Sequence, residues 1–295
     1  MDFGFWLGWR HWITPFRRRI YPRALISADH FRLRIDLRDV AIGSTLFLIR
    51  TWEPELLALF RLLDLSGGVC IDVGANFGWD TLALSECVGP AGKVFAFEPS
   101  QREYRLLLEN LRLNNVTNVV AERAALGERK ETRWLRLNSR NWGDNRVVTE
   151  RKAGEQYESI AVQVGDEVLA ALPAGAIKLI KIDAQGYDHF VVKGLRDSLM
   201  RNPDAVLAVE VAPGHLREAG TSPGAFVAYL VEQGFRGWEL HLHRAFPLLA
   251  PEDYELSDDG GETNLVLSRR PEALNRAIAR MFPGATRSSA PRSVR

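Results

Sequence analysis

Cysteine, methionine and net charge are all scarce in this chain. Its 295 residues include two cysteines, Cys70 and Cys87, and three methionines, and 38 basic side chains face 37 acidic ones. Two cysteines cannot build the disulfide framework of a small secreted domain, and neither sits at a metal-ligand spacing, so a reducing, cytoplasmic setting is expected. Long hydrophobic runs are missing as well. The longest charge-free apolar stretch, residues 40–49, is half of the roughly 20 residues a membrane-spanning helix needs. No secretory leader is expected, because the Arg17-Arg18-Arg19 cluster follows the aromatic residues Phe3, Phe5, Trp6, Trp9, Trp12 and Phe16 instead of preceding them.

The near-zero net charge is a cancellation. Residues 1–50 carry nine Arg against four acids, residues 51–268 carry 22 bases against 32 acids, and residues 269–295 carry seven Arg against one Glu. An acidic body argues against a nucleic-acid groove across the main domain, since phosphate binding needs a clustered basic face. The aromatic and arginine-rich residues 1–23 fit either packing on the main domain or peripheral contact with the inner membrane surface.

Hydrophobic patterning reads as α/β. Phe31-Arg32-Leu33-Arg34-Ile35 alternates as a strand, and residues 53–65 read as a helix with Pro54 in its first turn. Strands are then expected at 69–73, 93–98, 118–124, 177–183 and 205–211, with final strands at 235–242 and 263–268. Helices are expected at 79–87, 100–113, 189–200 and 222–233, the second opened by a Ser100-Gln-Arg-Glu103 capping box and the last by Ser222-Pro223. Such alternation implies a mostly parallel sheet with helices on both faces and a ligand crevice at the carboxyl ends of its strands. Between 127 and 163 it lapses. Residues 133–137 and 159–164 read as strands and 138–157 as a long loop, whose Asn141–Arg146 stretch suits either a sugar-like acceptor or a solvated turn. The expected organisation is an N-terminal extension over 1–65, one domain over 66–270 and a basic, flexible tail over 271–295.

Chemistry concentrates in Val69-Cys-Ile-Asp72-Val-Gly74-Ala-Asn76-Phe-Gly78. A strand runs into a small-residue turn and then a helix, so backbone N–H groups are expected to face the ligand above the strand. Twenty residues past Gly78 the second strand ends in Phe97-Glu98-Pro99, where an acid can accept hydrogen bonds from a ribose diol. Together these point to a nucleoside-type ligand. The turn lacks the Gly-x-Gly-x-x-Gly of NAD enzymes, and its acidic edge suits S-adenosylmethionine, which carries a sulfonium and no phosphate, better than a pyrophosphate.

The set Asp72-Val-Gly-Ala-Asn76-Phe-Gly78, Phe97-Glu98-Pro99 and Lys181-Ile-Asp183-Ala-Gln185-Gly186-Tyr187-Asp188 resembles the FkbM-type S-adenosylmethionine-dependent methyltransferases over residues 40–270. Trp52-Glu53-Pro54, Asn110, Ala124-Ala125-Leu126-Gly127 and Thr263-Asn264-Leu265 support the likeness. The resemblance implies a Rossmann-like class I methyltransferase fold, with a mostly parallel seven-stranded sheet whose last strand is antiparallel. It also implies O-methylation of a hydroxyl on a saccharide, polyketide or related metabolite. Ala184 departs from the bulky aliphatic residue of many members, which widens the site beside Asp183.

By that resemblance Asp72, Gly74, Asn76 and Gly78 surround the methionine part of the cofactor, Glu98 holds the ribose, and residues 122–125, with Ala124, border the adenine. Asp183 touches both cofactor and acceptor. An alcohol needs a base as the C–O bond forms, and Asp183, His215 and Glu210 are the candidates. His241 and His243 share a two-residue spacing without a third ligand, so no metal is expected. The alternatives are a cofactor-binding scaffold without turnover, held at a membrane surface, and, third, a nucleotide-dependent oxidoreductase.

Overall fold

The computed structural model describes residues 22–255 and 261–283. The aromatic N-terminal segment, apart from Pro22 and Arg23, and the end of the basic tail lie outside them. Among the described residues no helix is long and apolar enough to cross a membrane.

A hairpin of β1 (Arg23–Ala28) and β2 (Phe31–Asp36) comes first, turning at Asp29 with φ 52°. Helices Ile42–Ile49 and Pro54–Leu62 follow, the second led by its proline at the first turn. Strands β3 (Val69–Val73), β4 (Lys93–Phe97) and β5 (Val119–Glu122) then alternate with helices Trp79–Val88 and Gln101–Leu113. Next come β6 (Ala125–Gly127), β7 (Glu131–Leu137), β8 (Arg146–Val148) and β9 (Gln156–Val164). After β10 (Ile177–Ile182) and β11 (Val206–Val211), the chain closes with β12 (Arg236–His241), β13 (Arg244–Pro247) and β14 (Thr263–Ser268).

The central sheet has the order β13-β12-β14-β11-β10-β3-β4-β5. Strands β5, β4, β3, β10 and β11 are mutually parallel, while β14 runs antiparallel to both β11 and β12. Seven of these are the strands of a class I methyltransferase sheet, its last one antiparallel. The eighth, β13, is an edge addition: His243 adopts φ 67° in the turn after β12 and folds the chain back. His241 and His243 therefore do not share one strand face, and the His241 Nε2 pairs with Glu239 at 3.2 Å.

Period-two patterning splits the core between the two sheet faces. Cys70, Val94, Leu179, Ala208 and Val266 pack against the N-terminal hairpin and helices. Ile71, Phe97, Ile180, Val209 and Leu265 pack on the other side. The described residues of the N-terminal extension, from 22 on, thus share the main core. Asn110 on Gln101–Leu113 and Asn114, the residue that ends this helix one turn later, dock β2 as a partner strand would. The Asn110 amide accepts from the Arg34 N–H (2.6 Å) and donates to the carbonyls of Arg34 (3.2 Å) and Phe77 (2.8 Å). Asn114 repeats the pattern on Arg32.

Three segments depart from the patterning. The 138–157 stretch is not one loop, because β8 and a 3-10 turn at Trp142–Asp144 complete a four-stranded sheet in the order β6-β9-β7-β8. The helix expected at 189–200 is two, Asp188–Gly194 and Arg196–Arg201. Gly194 lies so close to β6 that a Cβ would stand 1.9 Å from the Gly127 carbonyl oxygen, and the second piece is capped by Asp166, which accepts the N–H groups of Asp197 (2.9 Å) and Ser198 (2.7 Å). Residues 272–281, counted with the tail from sequence, form helix Glu272–Met281, which buries Leu274, Ala277 and Ile278 in the larger core.

Candidate active site

The carboxyl ends of β3, β4 and β10 converge on the Asp72–Gly78 turn. Gly74 (φ 77°) needs both its conformation and its lack of a side chain, since a Cβ would stand 1.8 Å from the Asp183 carbonyl oxygen. The turn is closed on itself. The N–H groups of Gly74 and Ala75 both donate to the Phe97 carbonyl (3.0 Å each), that of Asn76 to Glu98 Oε2 (2.8 Å), that of Phe77 to Asn76 Oδ1 (2.8 Å) and that of Gly78 to the Ala75 carbonyl (2.8 Å). Sequence reasoning expected these donors to face a ligand; the first three are instead spent on the end of β4 and the last two within the turn. Such a turn offers no nest of free N–H groups for a pyrophosphate.

Glu98 lines the cleft and is 6% exposed. Its other oxygen accepts the Ser100 N–H at 2.8 Å. Burial, with the neighbouring Glu103 carboxylate, pushes Glu98 up to about 8, against the pull of both N–H donors. The capping box is altered accordingly. The Ser100 hydroxyl donates directly to the Glu103 carboxylate, and Glu98 takes the Ser100 N–H.

Beneath the turn lies a buried ion cluster. Lys181 Nζ stands 3.4 Å from Asp80, 3.6 Å from Asp183 and 3.7 Å from Asp72, and donates to the Gly74 carbonyl at 3.4 Å. Burial works against its charge, yet Asp183, Asp72, Asp80 and Glu53 hold Lys181 well above an ordinary lysine. Burial pushes Asp80 up to about 6 and also raises Asp72, whose Oδ2 accepts from the Thr81 hydroxyl at 2.5 Å. Burial and the Asp80 charge push Glu53, held by Asn264 at 3.0 Å, up to about 8. Asp72 is fully buried and does not line the cleft. Gly78 starts a helix against Leu107, and buried Ala124 yields the wall to Ala125 and Leu126.

Asp183, at the end of β10, reaches the cleft with its side chain 30% exposed. The Gln185 amide donates to Asp183 Oδ1 (2.7 Å) and to Glu210 Oε2 (2.9 Å), joining two of the candidate bases. Glu210 stays behind this bridge, outside the cleft lining. Burial and the charges of Asp183 and Glu262 push it well above the carboxylate range. Asp188 shapes the loop by accepting the Ala184 (2.9 Å) and Gly186 (2.8 Å) N–H groups.

His215 is not brought to the cleft. Its Nε2 accepts from Arg146 Nη2 at 2.5 Å, and the same guanidinium donates to Asp144 (2.5 Å) and Glu218 (2.6 Å). Burial and the Arg146 charge lower its pKa, and its Nε2 lone pair is occupied. Sequence reasoning placed Gln185 and Lys181 in a motif without a role, and took Trp142 only as part of the Asn141–Arg146 stretch that suits an acceptor or a turn. For Lys181 a signal existed: a lysine inside the buried run of β10, flanked by isoleucines.

Gly74, Asn76, Glu98, Pro99, Leu126, Leu135, Trp142 and Asp183 line a cleft open on one side. An acid at the end of β4, a close-approach glycine and a turn without free donors fit an adenosine-bearing, phosphate-free ligand. Among the described residues no three His, Cys, Asp or Glu side chains assemble as a metal site.

Sheet order, antiparallel last strand and a cleft at the carboxyl ends of β3, β4 and β10 define a class I methyltransferase. The Methyltransferase FkbM domain model matches residues 72–236, more than half of the chain. The chain belongs to the FkbM methyltransferase family, whose cofactor is S-adenosylmethionine.

Similar solved structures include a methyltransferase FkbM from Methylobacillus flagellatus KT, at 17% identity and a TM-score of 0.43 over 69% of this chain. This chain covers 44% of the length of that protein. A SAM-dependent methyltransferase from Aquifex aeolicus is 17% identical, with a TM-score of 0.39 over 77% of this chain and 94% of its own. The M. jannaschii TYW2 in complex with AdoMet is 15% identical, with a TM-score of 0.43 over 83% and 84%. These are distant likenesses of fold. The comparison with curated proteins finds no match.

Proposed function

We propose that this chain transfers a methyl group to a hydroxyl oxygen of a saccharide, polyketide or related metabolite, with Asp183 as the general base. The observation that carries this reading is the sorting of the three candidate bases. Asp183 alone of the three lines the cleft, beside Gly74 of the cofactor turn, while His215 is occupied by Arg146 and Glu210 lies behind Gln185. When bound, S-adenosylmethionine supplies a methyl carbon on a sulfonium sulfur. Glu98 and Asn76 hold the adenosine side, and Gly74 lets the backbone approach.

The chain's own part in the chemistry is to orient and deprotonate. Asp183 accepts the hydroxyl proton as the acceptor oxygen attacks, a share worth about 10²–10⁴-fold for a positioned base. Gln185 fixes the carboxylate through Oδ1, and Lys181 stands 3.6 Å from Oδ2. The acidic surroundings favour a cationic sulfur and give no support to a polyanionic acceptor such as nucleic acid.

The test is tritium transfer from labelled cofactor into fractionated extract of the source cells, followed by chemical identification of the labelled product. A methyl ether supports the proposal. Label found on nitrogen or carbon, or in nucleic acid, contradicts it.

A further inference from the structure

Trp142 comes from the insertion between β7 and β8, yet it lines the cleft together with Glu98 and Pro99 and is 5% exposed. Arg102, four residues past Glu98 on the helix that follows β4, stacks its guanidinium 3.5 Å above the indole ring. That stacking fixes Trp142 at the Glu98 end of the cleft. Its backbone is pinned from the N-terminal extension: its N–H donates to Asp39 at 3.4 Å, and the Val40 N–H to the Arg140 carbonyl at 2.7 Å. In this well-fixed setting the indole Nε1 is buried and has no hydrogen-bond partner among the described residues. A buried, unpaired donor is costly and is rare in native structures.

We propose that the Trp142 indole N–H donates a hydrogen bond to the adenosine half of the cofactor, making this residue of the insertion part of the cofactor site and not of the acceptor site. The proposal rests on the cofactor reading above. Adenosine presents ring nitrogens and ribose oxygens as acceptors, and it belongs at the Glu98 end, where the acid can take the ribose diol.

Calorimetric titration of the full chain and of Trp142→Phe, with S-adenosylhomocysteine and with methylthioadenosine, tests it. Phenylalanine keeps an aromatic ring beneath Arg102 and removes the donor together with part of the indole. Affinity for both ligands is expected to fall by the same factor, about tenfold, the worth of one net hydrogen bond. The thermal midpoint of the ligand-free variant is expected to change little, because loss of the unpaired buried donor offsets the packing lost with the smaller ring. Unchanged affinity overturns the proposal, as does a loss for S-adenosylhomocysteine without one for methylthioadenosine. A midpoint that falls together with the affinity marks a structural role and also counts against it. If the unaltered chain binds neither ligand, the cofactor reading itself has failed, which a wild-type titration shows before any variant is made.

Discussion

At Lys181 one buried ammonium answers the carboxylates of Asp72, Asp80 and Asp183. Removing it strands negative charge in the interior, so Lys181→Met should lower stability in urea by about 3–5 kcal/mol. Asp183 and His215 separate by kinetics. Asp183→Asn should lower kcat about 10²–10⁴-fold while S-adenosylhomocysteine affinity changes little, whereas His215→Ala should leave most of kcat in place. An equal loss in both variants would return His215 to the candidate bases. Legibility at this scale was uneven. Glu98 and Asp183 follow a strand end and a motif, and both line the cleft. Asp72 also ends in that pattern, but an acid at a strand end can face a ligand or a core cation. Its partner Lys181 stands on β10 and is brought beside it by the β3–β10 pairing, so spacing along the chain does not decide between the two.

Among the elements, the join between β2 and helix Gln101–Leu113 depends on two asparagine side chains. Asn110→Ala removes all three hydrogen bonds of a fully buried amide and leaves the Phe77 carbonyl without this donor. A loss of about 2–3 kcal/mol in denaturant unfolding is expected, and a change under 1 kcal/mol would show that the hairpin docks by its apolar face alone. The sequence pattern marked the βαβ units because their strands are mostly apolar and run into glycine or acid. Of the second sheet it marked β7 and β9 in part, as strands at 133–137 and 159–164, and not β8. Strand β8 is three residues long and only partly buried, so it read as polar loop. The break at Leu195 was invisible for a similar reason, since Asp166 caps that helix from 31 residues away.

For the whole molecule, the buried acids make stability depend on pH. Glu53 and Glu98 are each held near 8 in the folded state, above the ordinary glutamate value, so their contribution is full below pH 4.5 and is lost as pH rises through 8. Buried His189, lowered to about 4, acts with the opposite sign: its contribution is full above pH 6.5 and is lost as pH falls. Between pH 6.5 and 8 the acids therefore act alone. The urea midpoint of the ligand-free protein should fall across that window, and Glu98→Gln should make the fall shallower, Glu98 giving at most about 1.4 kcal/mol per pH unit. A midpoint that rises instead would mean these carboxyls are ionised throughout. The near-zero net charge likewise resolves into parts. The body around the cleft is acidic, as a cationic sulfonium ligand favours, and the arginines cluster toward the two ends of the chain.

Calorimetric titration of the full chain and of Glu98→Ala with S-adenosylhomocysteine asks most directly whether this cleft is the cofactor site. Saturable one-to-one binding by the wild type, weakened strongly by Glu98→Ala, is the expected result. Absence of binding, or binding of equal strength in the variant, would contradict the assignment.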